Sequence, residues 1–173
     1  LSSWDVSSVT HMQSMFTNAV SFNGDISSWD VSSVNYMNYM LQGASSFNSD
    51  LSSWDVSSVN HMNSMFNNAT NFNSDLSAWD VSSVISMNSM FLDANIFNGD
   101  ISSWDVSSVT IMDNMFDGAS ALSEENQCLI HTSFSSNENW PYDWSEFCPA
   151  PCGELVSHDG YDYSTVLIGE QCW

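Results

Sequence analysis

No lysine and no arginine occur in the 173 residues, against 21 aspartates and glutamates, a formal charge of -21. Without a cation, the chain has nothing to neutralise phosphate. Nucleic acid and anionic membrane are therefore excluded as partners, and cations and basic surfaces become the natural counterparts. No stretch approaches 18 consecutive apolar residues, so no transmembrane segment is read. No signal peptide is read either. Leu1 stands in mid-repeat, which points to a processed product or an excised piece of a longer protein. Cysteine is missing until Cys128 and then appears four times, at Cys128, Cys148, Cys152 and Cys172. An even number gathered outside the repeats suggests disulfides and an oxidising compartment. Cys128 with Cys148 and Cys152 with Cys172 is the favoured pairing of the three that four cysteines permit.

What the chain does contain is one phrase written five times. LSSWDVSSV at Leu1 returns at Ile26, Leu51, Leu76 and Ile101, always 25 residues on. A fixed period of this size predicts units that bury their apolar sides against one another. Within a unit, Trp4 and Val6 alternate around Asp5, the pattern of a short strand. Met12, Met15, Phe16 and Ala19 sit at i, i+3, i+4 and i+7, the pattern of a short helix, with Ser8 or Thr10 at its start. Asn18, Gly43, Asn68, Asp93 and Gly118 stand near the end of that segment, where a left-handed residue is often needed. The expected fold is an α/β solenoid, with a parallel sheet on one face and short helices on the other. Residues 1–123 are the five coils, 124–148 a C-terminal cap, and 149–173 a disulfide-stapled hairpin tail or the start of a further domain.

The columns sort into candidate roles. Trp4, Trp29, Trp54, Trp79 and Trp104 are read as core. Turning them outward would drive Asp5 and its equivalents inward with no cation to pair them. Asp5, Asp30, Asp55, Asp80 and Asp105 then form an outward acidic row and are the candidate binding face. Asp25, Asp50, Asp75 and Asp100 form a second row in the return turn, after Asn23, Asn48, Asn73 and Asn98. Asx-type hydrogen bonding to the backbone is the main reading of that turn, and a metal role for these aspartates the lesser one. No cofactor is required; calcium is the cation that such oxygen ligands suit. His11 and His61 are read as exposed, and Asn68-Ala69-Thr70 as a glycosylation sequon. In the cap, Leu129, Ile130 and Phe134 are read as covering the last coil, with Trp140, Tyr142 and Trp144 as bulky support. In the tail, His158-Asp159-Gly160 is read as a turn and Tyr163 to Ile168 as the second strand.

The phrase LSSWDVSSVTHMQSMFTNAVSFNGD, with its WDVSSV, Met-x-x-Met-Phe and FN-x-D elements, resembles the BspA-like 25-residue surface repeat (DUF285), a relative of the leucine-rich repeat. Laid on the leucine-rich pattern, Leu1, Trp4 and Val6 take the spacing of the three strand leucines, and Val9 stands where that pattern has Asn. The resemblance implies secreted or cell-surface proteins that act as adhesins or binding scaffolds, and no enzyme activity. DGYDYSTVLIGEQCW, from Asp159, resembles the start of the domain named from Fibrobacter major paralogous proteins.

No nucleophile–base–orienter set, HExxH or glycine-rich phosphate loop is present. Identical coils also give the carboxylates near-identical environments, whereas acid–base hydrolysis needs unlike ones. The expected function is therefore a non-enzymatic extracellular recognition or adhesion scaffold that uses its acidic face. Its partners would be an extracellular protein or glycan, or divalent cations. The alternative is a rigid acidic structural spacer, calcium-stabilised or not.

Overall fold

The structure, a computed structural model, describes residues 1, 3–149, 155–158, 161–164, 167–168 and 171–172. The 25-residue units lie coil on coil. The backbone N–H groups of Met12, Ser14, Phe16 and Asn18 donate to the carbonyls of Tyr36, Asn38, Met40 and Gln42 at 2.7–2.9 Å. The same four bonds recur from the second coil to the third, the third to the fourth and the fourth to the fifth.

The parallel sheet and the short helices expected of the coils are absent. Among the described residues of the repeats there is no strand and no helix, only four isolated parallel bridges in a line, His11–Tyr36–His61–Ser86–Ile111. The reason lies in where the amides go. Around Trp29-Asp30-Val31, the Trp29 N–H turns back to Ile26 O and the Val34 N–H to Val31 O. Those donors close local turns and are lost to any inter-coil ladder. In the segment read as helical, alternate N–H groups cross to the next coil while Thr17 and Ala19 reach back three residues to Ser14 and Phe16. The residues at the places of Ser14 and Asn18 have φ between 53° and 74° in all five coils, a conformation no α-helix accepts. Two consecutive four-residue turns put apolar residues at the same i, i+3, i+4, i+7 spacing as a helix.

The core is nonetheless continuous. Trp29, Trp54, Trp79 and Trp104 are buried with the Val, Met, Phe and Ala columns of their coils. Each of these four indole N–H groups donates to a carbonyl 28 residues back, as Trp79 does to Leu51 O at 3.0 Å. Trp4 departs from its column: it is 54% exposed, with its ring stacked on Trp29.

At the other end the core is closed by α1, Glu124–Phe134, capped by the Ser123 side chain. Ile130 and Phe134 are buried against the last coil; Leu129, also expected to cover it, is 41% exposed. Trp140, Tyr142 and Trp144 pack around Phe116, and Trp140 also meets Phe134 edge-on. The Tyr142 hydroxyl accepts the Phe116 N–H at 2.9 Å and donates to Asp117 at 2.8 Å, so it satisfies an amide that has no next coil. Burial pushes the Tyr142 phenol well above its usual range. Cys128 and Cys148 form a disulfide that ties α1 to the 3-10 turn Ser145–Phe147.

In the tail, β1 (Leu155–His158) pairs antiparallel with β2 (Tyr161–Ser164), and β3 (Leu167–Ile168) with β4 (Gln171–Cys172). The expected second strand Tyr163 to Ile168 is thus divided between two hairpins. Asp159, Gly160 and the Cys152–Cys172 pairing lie outside the described residues.

Candidate functional site

The leading turns carry the sequence Asp-x-Ser once in the first coil, at Asp5, and twice in each of the other four, and each aspartate folds onto the serine two residues on. In the row of Asp5, Asp30, Asp55, Asp80 and Asp105, the carboxylate Oδ1 accepts the serine N–H at 2.9–3.1 Å. In the first four coils it also accepts the serine hydroxyl, at 2.6–2.7 Å. The row of Asp25, Asp50, Asp75 and Asp100 repeats the backbone contact with Ser27, Ser52, Ser77 and Ser102 at 2.9–3.0 Å. All nine aspartates are exposed.

The serine hydroxyl, followed by the serine amide, holds Asp5, Asp25, Asp30, Asp80 and Asp105 below the usual carboxylate range. For Asp50 and Asp75 the amide is the larger influence. Like charge opposes this where neighbours face each other, as Asp5 does Asp30 and Asp105 does Asp80. For these seven aspartates the hydrogen bonds win over the repulsion. Among the described residues, no group of three or more His, Cys, Asp or Glu converges as a metal-holding cluster.

The return turn carries an asparagine ladder. The Oδ1 atoms of Asn23, Asn48, Asn73 and Asn98 accept the backbone N–H of Asn48, Asn73, Asn98 and Ser123, at 2.8–2.9 Å. The residues of the sequon are part of the coil fabric: Ala69 is buried and Asn68 is exposed with φ 57°.

Two features escape a reading by columns. The first is a ring ladder on the line of bridges. His11 stacks on Tyr36 with centroids 4.7 Å apart, and Tyr36 on His61 at 5.3 Å. Histidine at 11 and 61, tyrosine, serine and isoleucine share this column, so no constant letter marks it; its place just before the invariant Met is the only signal. The second is a cleft of about 550 Å³ between the fifth coil and the cap, where Asp105, Ser107 and Thr110 face Ser133, Asn137 and Glu138. It needs the junction with the cap, which no repeat pattern describes.

Residues 1–84 and 50–140 match the family described as Mycoplasma protein of unknown function, DUF285. These two overlapping stretches span all five coils and most of the cap, and the chain belongs to that family. No curated protein and no solved structure matches the chain. Among the described residues, no helix is long and apolar enough to cross a membrane.

Proposed function

We propose that the chain is a non-enzymatic recognition or adhesion scaffold, secreted or held at a cell surface. The observation that carries this reading is the pair of exposed aspartate rows, fixed coil by coil in a chain without Lys or Arg. A field of one sign steers oppositely charged surfaces toward the molecule and turns anionic ones away. The Cys128–Cys148 disulfide supports an oxidising, extracellular setting. The stretch from Asp159 that resembles a Fibrobacter major paralogous domain fits a second extracellular module in the same protein.

A second reading, the rigid acidic spacer, is favoured by one observation. Every row aspartate already has local work in its turn, which accounts for its recurrence without a partner. The double variant Asp55→Asn/Asp80→Asn separates the two, because Asn keeps the Oδ1 acceptor and removes the charge. On a polylysine surface and a glycan array, recognition expects binding that survives ionic strength of about 0.15 M and falls in the variant. The spacer expects no such binding, and a variant that only melts higher as repulsion is relieved. Calcium enters as a counter-ion to the rows; a rise in melting temperature that magnesium does not match would mark a specific site.

A further inference from the structure

We propose that the cap carries a pH-sensitive latch: His131 of α1 holds Trp140 while its ring is neutral and turns to Asp143 when the ring takes up a proton.

The first partner fixes the state of the ring. An indole N–H only donates, so the nitrogen that receives it must offer a lone pair. The Trp140 N–H donates to His131 Nδ1 at 3.2 Å. The imidazole is therefore neutral in this contact, with its hydrogen on Nε2. A proton added at Nδ1 takes up the same lone pair. Two N–H groups would then point at each other, and the contact cannot survive.

The second partner favours the charged ring. Asp143 lies in the segment that leads into the 3-10 turn and accepts the hydroxyl and the N–H of Ser145. Those two contacts hold its carboxyl below the usual carboxylate range, and the His131 ring acts in the same direction. His131 also stands in the last turn of α1, where a helix end favours a cation. One ring thus has a partner that needs it neutral and surroundings that favour it charged. Imidazole changes its charge between about pH 5 and 8, so the choice falls in an ordinary range of pH.

The other ionisable groups around the ring are placed elsewhere. Residues 127–135 hold no further ionisable side chain once Cys128 is bridged. After α1, Glu138 and Glu146 are exposed. From the fifth coil, Asp117 accepts the Tyr142 hydroxyl, and Asp113 lines a hollow of about 270 Å³ with Trp140 and Glu138.

Trp140 is the residue through which the choice reaches the rest of the cap. Its ring meets those of Phe116, Phe134, Tyr142 and Trp144, with centroids 5.2–6.2 Å apart. Phe116 belongs to the last coil and Phe134 to α1, so a released Trp140 loosens the cap where it joins the coils. The change at the ring is one proton, and the element it biases is the indole that wedges coil and helix together.

The test is the indole N–H signal of Trp140 in proton–nitrogen NMR of the whole chain, assigned by its loss in Trp140→Phe. It should titrate together with the His131 ring signals between about pH 8 and 5. His131→Asn keeps a neutral acceptor near the place of Nδ1 and takes no charge. At about pH 5.5 the Trp140 indole should exchange with solvent about fivefold faster in the native chain than in this variant, and at about pH 8 equally fast. Asp143→Asn keeps the Ser145 contacts and removes the charge, so it should move the titration to lower pH by about half a unit or more. An indole signal that stays fixed across this range, or that titrates unchanged in His131→Asn, would overturn the proposal. So would a titration that Asp143→Asn leaves in place, because the charged ring would then have no second partner.

Discussion

The Oδ1 of Asn73 accepts the backbone N–H of Asn98, one coil further on, at 2.8 Å. The bond fixes two things together: a turn, and its register with the next turn. Asn73→Leu removes the acceptor and returns the Asn98 amide to water. The site is exposed, so the net loss should be about 1 kcal/mol, the ordinary worth of a hydrogen bond. In a chain of this size that lowers the melting temperature by about 2–4 °C. Asn73→Asp keeps an acceptor in place and should lose less. Equal losses in the two variants would mean that the ladder contributes nothing.

Trp54 packs fully inside and donates its indole N–H to Ile26 O at 3.1 Å. Trp54→Ala leaves a cavity and an unsatisfied carbonyl, at a cost of about 3–5 kcal/mol in chemical denaturation. Trp4→Ala removes a ring that is more than half exposed and should cost far less. The difference between the two is the measure, because the residues occupy the same column.

Those two columns show how far the sequence can be read. The 25-residue period, the buried Trp29 to Trp104 column, the left-handed Asn18 to Gly118 column and the Asn23 to Asn98 ladder all follow from letters that repeat. The secondary structure does not. Trp4-Asp5-Val6 alternates as a strand would, but Asp5 and Asp25 each bind the serine two residues on and turn the chain on either side. Met12 to Ala19 has helical spacing, which two successive turns reproduce. Hydrophobic period reports which side chains face the core and not which carbonyl an amide finds. The ring ladder was hidden for the opposite reason: its residues differ from coil to coil, and what they share is position.

Gly43 lies at φ 66°, and a Cβ there would collide with the Asn18 side chain of the coil before it. Gly43→Ala combines both penalties. The left-handed backbone alone costs a non-glycine residue about 1–2 kcal/mol. Adding Asn18→Ala should return the steric part and leave the backbone part. A double-mutant cycle by urea denaturation then separates them. A cycle with no coupling would show that Asn18 swings clear at no cost.

Acid should unfold the stack from its turns. The serine contacts lower the pKa values of Asp5, Asp30, Asp80 and Asp105 in the folded chain below the 3.8 of a free carboxyl. The folded state therefore binds fewer protons than the unfolded one. The stability these aspartates contribute is complete above pH 3.8 and is lost as the pH falls through their folded pKa values. Protonation also relieves repulsion within each row, which acts in the opposite sense. The lowered pKa values already contain that repulsion, so loss of the turn contacts dominates. The melting temperature should fall steadily below pH 4 or so. Asp30→Asn/Asp80→Asn, with its turn acceptors intact and uncharged, should show a shallower fall. A melting temperature that rose in acid would mean that repulsion between coils outweighs the turns.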